Sequence, residues 1–207
     1  MADRKEAERA YPELIEESGR QWLRTKPFGN SPRETARLLI DFGYVVQLLE
    51  LQPGMSVCEL GCGPGWMTRM AARHGLKAVG YDISPGMIEI AREQAEAEGV
   101  EARYEVADME ELDAGGRFLL AEPNWKHRFQ GRDASDQWGV TELGYTPRRF
   151  KKMLREAGFT DVQRFHNNRK RLFGNRPKEI AAHLAEPIAF RILGPFWTQI
   201  WLRATAA

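Results

Sequence analysis

The sequence predicts an α/β fold in which a parallel sheet is covered by helices. Three observations carry this expectation. Short apolar runs alternate with longer amphipathic stretches between residues 31 and 108, the connections are short and marked by Gly and Pro, and a glycine-rich turn joins the first run to the helix after it. With 207 residues, 43% of them hydrophobic, the chain is long enough for one domain with a sizeable core. The expected organisation is residues 1–30 as an N-terminal helix and possible flap, followed by a single domain over 31–207.

The first twenty residues mix six acids with four bases and read as a solvated helix leading into QWLRTKPFGNSP. Gly, Asn, Ser and Pro break that segment, while Trp22, Pro27 and Phe28 give it apolar surface to lie over something. Two readings stand, a leader packed on the outside of the domain and a flap that covers a substrate. SPRETARLLIDFGYVVQLLEL then reads as a capped helix, with Ser31 as N-cap, Pro32 in the first turn and Glu34 at the third helical position.

MSVCEL is a strand, GCGPG a turn, and WMTRMAARHG a helix ending at Gly75. LKAVGYD is the second strand, SPGMIEIAREQAEAEG the next helix with Ser84 and Pro85 at its start, and EARYEVAD the third strand. The order β-α-β-α-β with short connections predicts a parallel sheet. Further on, GGRFLLAEP reads as a buried strand, TPRRFKKMLREAG as an amphipathic helix, and FTDVQRF and FWTQIWLRAT as the last strands, with one short helix around KEIAAHLAE between them.

Composition narrows the function. Thirty bases against 29 acids leave a net charge of +1, which gives little support to a general nucleic-acid binder. Two cysteines do not make a disulfide scaffold, four separated histidines do not suggest a metal cluster, and a reducing cytoplasmic compartment is the simplest home. The start is too polar for a secretory signal, and no stretch reaches the roughly 18 apolar residues of a membrane span.

The sharpest local signal is Glu59-Leu60-Gly61-Cys62-Gly63-Pro64-Gly65, entered by a strand and left by a helix. Glycines let the backbone turn tightly and approach a ligand without Cβ clashes, and the helix after them offers unpaired N–H groups. The dinucleotide fingerprint fits in neither register, because Trp66 or Thr68 occupies the place of its last small residue. No Gly-Lys-Ser or Gly-Lys-Thr follows, which disfavours a phosphate-loop nucleotidase. Asp82 ends the second strand, where a carboxylate can accept from both hydroxyls of a ribose. Asp108 closes the third strand and could face an exocyclic amine or a backbone N–H in the same cleft.

VCELGCGPG, VGYDISPGMIEIAREQA and YEVADMEEL together resemble the class I S-adenosylmethionine-dependent methyltransferases, in particular their small-molecule group. The resemblance covers roughly residues 35 to 165 and implies a Rossmann-like sheet with flanking helices and S-adenosyl-L-methionine as cofactor. It implies that Gly61, Cys62, Gly63 and Gly65 form the loop that cradles the cofactor, with Glu59 placing its methionine amine through that loop. Asp82 would take the ribose hydroxyls, Ile83 and Met109 would flank the adenine, and Asp108 would approach its amino group.

The chain departs from the family in the middle. Only Met109 to Ala114 separate Asp108 from Gly115, too few for a β-α crossover of a dozen or more residues, so about one central β-α unit is absent. In the family that strand lies beside the glycine-loop strand. FLLAEP closing against that strand, or a second chain completing the sheet as in a homodimer, would cover the resulting edge.

After FLLAEP come Glu122, Asn124, Trp125 and His127, at the expected open edge of the sheet. His127 as a base, Glu122 as an orienting acid and Tyr145 before the TPRRF helix are the catalytic candidates, each set against an ordinary surface or loop role. The run from Arg164 to Lys178 holds six bases and no acid, and reads as a solvated connector or as a site for an anionic acceptor or lipid. The aromatic AFRILGPFWTQIWLRA reads as a final strand, with a hydrophobic acceptor pocket as the other possibility. The function expected is methyl transfer to a small-molecule acceptor, anionic or partly hydrophobic, by direct in-line displacement. No metal, nucleic-acid partner or transmembrane segment is expected. The alternative is a catalytically weak or inactive cofactor-binding or interaction protein, which the missing unit favours.

Overall fold

The computed structural model describes residues 2–29, 31–108, 117–123, 147–165 and 199–206. These fall into two compact units, one made of residues 2–108 and the other of the remaining described segments.

The first unit begins with three short helices, α1 (Ala2–Arg9), α2 (Tyr11–Leu14) and α3 (Glu17–Thr25), in place of the one solvated helix expected. The reason is local: Pro12 sits in the first turn of α2, where it breaks continuation from α1, and Ile15 is extended. Ile15, Leu23, Tyr11 and Trp22 pack on Met87 and Ile90, so this segment has a core of its own. Helix α4 (Pro32–Leu49) starts as the sequence predicts, with Ser31 Oγ accepting from Glu34 N at 3.2 Å. Glu34 forms an ion pair with Arg37 on the same helix.

Strands β1 (Ser56–Leu60), β2 (Lys77–Asp82) and β3 (Arg103–Val106) pair in parallel in the order β1-β2-β3. They are linked by α5 (Trp66–Arg73) and α6 (Pro85–Ala97), as the β-α-β-α-β pattern requires. Leu38 and Phe42 of α4 pack with Trp66, Ala71, Leu76 and Ala78, while Ile88, Ala91 and Ala95 of α6 pack with Cys62 and Tyr104. All three strands end at the same side, which is where a ligand site forms in open parallel sheets. Among the described residues, β1 is paired along one edge only, in keeping with the short stretch that follows Asp108 in the sequence.

The second unit is an antiparallel sheet in the order β4-β6-β5, of β4 (Arg117–Pro123), β5 (Phe159–Phe165) and β6 (Gln199–Ala206). Helix α7 (Pro147–Glu156) lays Phe150 and Leu154 on Leu202, Ala204, Phe159 and Val162. Phe150 and Leu154 are four apart, hence on one helical face. The short helix expected around KEIAAHLAE lies outside the described residues. Among the described residues, no helix is long and apolar enough to cross a membrane.

Candidate functional site

The site is assembled at the ends of β1, β2 and β3. Gly61, Gly63 and Gly65 have φ of 67°, 52° and 68°, the left-handed region that glycine enters without penalty. Each serves the turn differently. A Cβ on Gly65 would stand 2.4 Å from Cε1 of Tyr104, whose hydroxyl donates to Gly65 O at 3.0 Å. A Cβ on Gly63 would meet nothing within 4 Å. Thus Gly65 is fixed by packing beneath the loop, while the backbone at Gly63 borders open space. Cys62 N donates to Tyr81 O at 2.9 Å, and Gly65 N to Cys62 O at 3.0 Å, which ties the turn to β2.

Cys62 is buried below the loop against Tyr104. Burial, reinforced by the fields of Glu59 and Asp82, pushes its thiol well above the usual range. A neutral, packed thiol lacks the thiolate character a nucleophile needs. Cys62 supplies the floor of the loop and its backbone groups.

Two acids hold the turn in shape. Asp82 Oδ2 accepts from Gly63 N at 2.8 Å, and its Oδ1 accepts from Ser84 N at 2.9 Å. Ser84, buried, also caps α6 through Met87 N at 3.3 Å. A carboxylate has about four acceptor positions, so Asp82 keeps room for further donors while positioned by these two. Ile83 lies between these residues and is partly exposed. Glu59, on β1, accepts from Thr68 N at 2.9 Å and from Thr68 Oγ1 at 2.5 Å. Its carboxyl is pushed up to about 7 by burial, with the Asp82 charge adding to the rise and the two Thr68 hydrogen bonds opposing it.

Asp108, two residues beyond β3, has a side chain only 10% exposed and pairs with Lys5 Nζ of α1 at 2.5 Å. Near the other end of α1, Arg9 O accepts from Ser84 Oγ at 2.9 Å. The N-terminal segment therefore touches the ends of both β2 and β3.

Arg69 is a residue that sequence reasoning missed. Fully buried on α5, it donates to Pro64 O of the loop at 2.6 Å and to Lys26 O at 3.1 Å, and its Nε stands 3.1 Å from Glu98 Oε1. One guanidinium thus joins the glycine turn to the turn after α3. The sequence signal was its spacing: Arg69 is three residues after Trp66, on the same helical face as an apolar anchor. Lys26 places its ammonium 3.8 Å from the Trp22 ring centre. Burial first, then the Arg37 charge, lowers it to about 8 against the raising influence of Glu34 and Glu59.

The structure thus brings Glu59, Gly61, Cys62, Gly63, Gly65, Asp82, Ile83 and Asp108 to neighbouring strand ends. Met109, His127 and Tyr145 lie outside the described residues. Glu122 is described as a backbone position in β4, opposite Ile200 of β6.

Comparison with known proteins agrees with this arrangement. Residues 57–121 match the family described as a methyltransferase domain. Over 82 residues the chain is 38% identical to the ubiquinone biosynthesis O-methyltransferase of Azorhizobium caulinodans, covering 39% of this chain and 32% of that protein. Over 84 residues it is 36% identical to the ribosomal protein L11 methyltransferase of Burkholderia multivorans, covering 39% of this chain and 26% of the other. The chain spans about a third or less of the length of these relatives. Among solved structures it is similar to the magnesium protoporphyrin IX methyltransferase of Synechocystis PCC 6803 with bound S-adenosylhomocysteine, at TM-score 0.61, 15% identity and coverage of 99% and 100% of the two chains. It is similar also to the cyclase SpnF, at TM-score 0.60, 16% identity and coverage of 99% and 97%. These likenesses show a Rossmann-like α/β fold.

Proposed function

We propose that this chain, a class I S-adenosylmethionine-dependent methyltransferase by its glycine loop, its family match and its fold, transfers a methyl group from S-adenosyl-L-methionine to a small-molecule acceptor. The observation that carries the reading is the left-handed Gly63, where a Cβ would meet nothing within 4 Å and whose N donates to Asp82 Oδ2. The residues fit the cofactor part by part. Asp82, held by Gly63 N and Ser84 N, offers its remaining lone pairs to the ribose hydroxyls. Glu59, and Lys26 on which the Glu59 charge acts, suit the ammonium and carboxylate of the amino-acid end. Asp108 and Ile83 serve the adenine.

The bound cofactor supplies an activated methyl carbon on a sulfonium, so positioning and desolvation can carry much of the rate. The chain's own work is to hold that group by Gly61–Gly65 and the strand-end acids, and to keep Glu59 ionised once an ammonium lies beside it. Its acceptor is a small molecule, as the relatives' O-methyltransferase name suggests. His127, Glu122 and Tyr145 are the candidates to orient the acceptor or take its proton. A chain that completes its sheet with a second copy is compatible with this reading, as is a reducing intracellular setting.

The test is calorimetric titration with S-adenosylmethionine and S-adenosylhomocysteine of the wild type, Gly63→Arg and Asp82→Ala. Saturable wild-type binding, weakened about tenfold or more by both substitutions, is expected, since one fills the open space and the other removes ribose acceptors. Thermal unfolding controls for folding. A folded wild type that binds neither compound refutes the reading, and binding without turnover over a broad acceptor panel supports the catalytically inactive alternative.

A further inference from the structure

We infer that Lys5 is an internal competitor for the adenine subsite, and that α1 is a strap which S-adenosylmethionine must displace from Asp108. This rests on the cofactor reading above and adds to it a control that neither the loop nor the family match contains.

The argument begins with geometry. Lys5 and Arg9 are four residues apart, about one turn or 6 Å along α1. Lys5 Nζ contacts Asp108 Oδ2 at 2.5 Å, and Arg9 O is held by Ser84 Oγ at 2.9 Å. Asp108 follows β3 and Ser84 follows β2, neighbouring strands that lie about 5 Å apart in any sheet. The helix therefore lies across these two strand ends. They are the same ends that an adenosine would use, because Ser84 N is a donor to the ribose-binding Asp82 and Asp108 is the acid for the adenine amine.

Chemistry then sets the sign. Asp108 is largely shielded from water, and an ammonium is a stronger partner for it than the neutral exocyclic amine of adenine. Exchange of one for the other loses a charge-assisted hydrogen bond. Lys5, more exposed at 38%, recovers hydration when released, which offsets part of that loss. The remainder appears as weakened cofactor affinity. Arg9, joined through its backbone carbonyl, holds the strap near its post and makes recapture of Asp108 an intramolecular event.

The experiment compares the full wild-type chain with Lys5→Met, which keeps the apolar stem, using calorimetric titration with S-adenosylhomocysteine at low and high sodium chloride. Lys5→Met is expected to bind about fivefold more tightly at low salt. Raising the salt screens the ion pair, so wild-type affinity should rise toward that of the variant while the variant changes little. A second readout is amide hydrogen exchange over residues 2–9, expected to quicken in the wild type when S-adenosylhomocysteine is added. Equal or weaker binding by Lys5→Met overturns the strap, as does slowed exchange in α1, which would make this helix a cover that closes on the ligand. Failure of both chains to bind overturns the cofactor reading and the strap with it. Binding by Lys5→Met alone supports both.

Discussion

Glu59→Gln should stabilise the free protein at neutral and higher pH while weakening its hold on the cofactor. The carboxyl of Glu59 is raised from 4.5 to about 7, chiefly by burial. At about 1.4 kcal/mol for each tenfold in proton affinity, this corresponds to at most about 3.5 kcal/mol. The folded state binds this proton more tightly than the unfolded state, so between about pH 4.5 and 7 the folded chain carries more protons and its stability falls as pH rises. Above that window the penalty is constant. Glutamine leaves it out, since its carbonyl oxygen, in the place of Oε2, can accept from both Thr68 N and Thr68 Oγ1 as that atom does now at 2.9 and 2.5 Å. Urea unfolding of wild type and variant from pH 4 to 8.5 measures the difference directly. The variant's advantage should grow by about 2–3 kcal/mol across the window and then level, while titration with S-adenosylhomocysteine at pH 8 should show weaker binding because the ammonium has lost its carboxylate. A difference that stays flat from pH 4.5 to 7 would refute the claim that Glu59 is held above its ordinary range.

Gly65→Ala is expected to destabilise the first unit by about 2–4 kcal/mol, read as a lower urea midpoint, because the new methyl would lie 2.4 Å from the Tyr104 ring and φ is 68°. Gly63→Ala, with the same hand of backbone but nothing within 4 Å of its Cβ, should cost only about 1 kcal/mol, and a larger loss than at Gly65 would reverse the assignment of the two glycines. Lys26→Met should weaken S-adenosylhomocysteine about tenfold and leave 5′-methylthioadenosine, which has no amino-acid end, within twofold in calorimetry; equal losses on both ligands would make Lys26 a structural residue.

The parts of the site legible in the sequence are those fixed by local chain geometry. A strand that meets Gly61-Cys62-Gly63-Pro64-Gly65 and then a helix leaves the backbone few options, and all three glycines are left-handed as that turn demands. Ser31 and Ser84 cap their helices as read, because a cap is a contact three residues long. Tertiary partners were not legible. Asp108, read as facing an exocyclic amine or a backbone N–H, also pairs with Lys5, 103 residues away, and Arg69 reaches Lys26 over 43 residues. No spacing rule encodes such pairs, which depend on how the N-terminal segment, with α2 and α3, settles on α6. The single N-terminal helix was misread because apolar and charged residues were weighed more heavily than Pro12, whose ring breaks the helix.

The edge of β1 that pairs with no other strand among the described residues bears on these functions unequally. Glu59, the glycine turn, Asp82 and Asp108 are positioned by pairing of β1 with β2 and β2 with β3, and by the capped starts of α5 and α6. None of these supports comes from the edge of β1 where the family strand would pair. In the proposed reading, cofactor capture therefore draws chiefly on residues 2–108. The catalytic candidates His127, Glu122 and Tyr145 all follow Asp108, on the far side of the shortened connection. Binding and turnover are separable by this division, and substitutions that abolish one need not touch the other. Retained binding with lost turnover would locate the defect after Asp108, and loss of both would place it in the strand ends themselves.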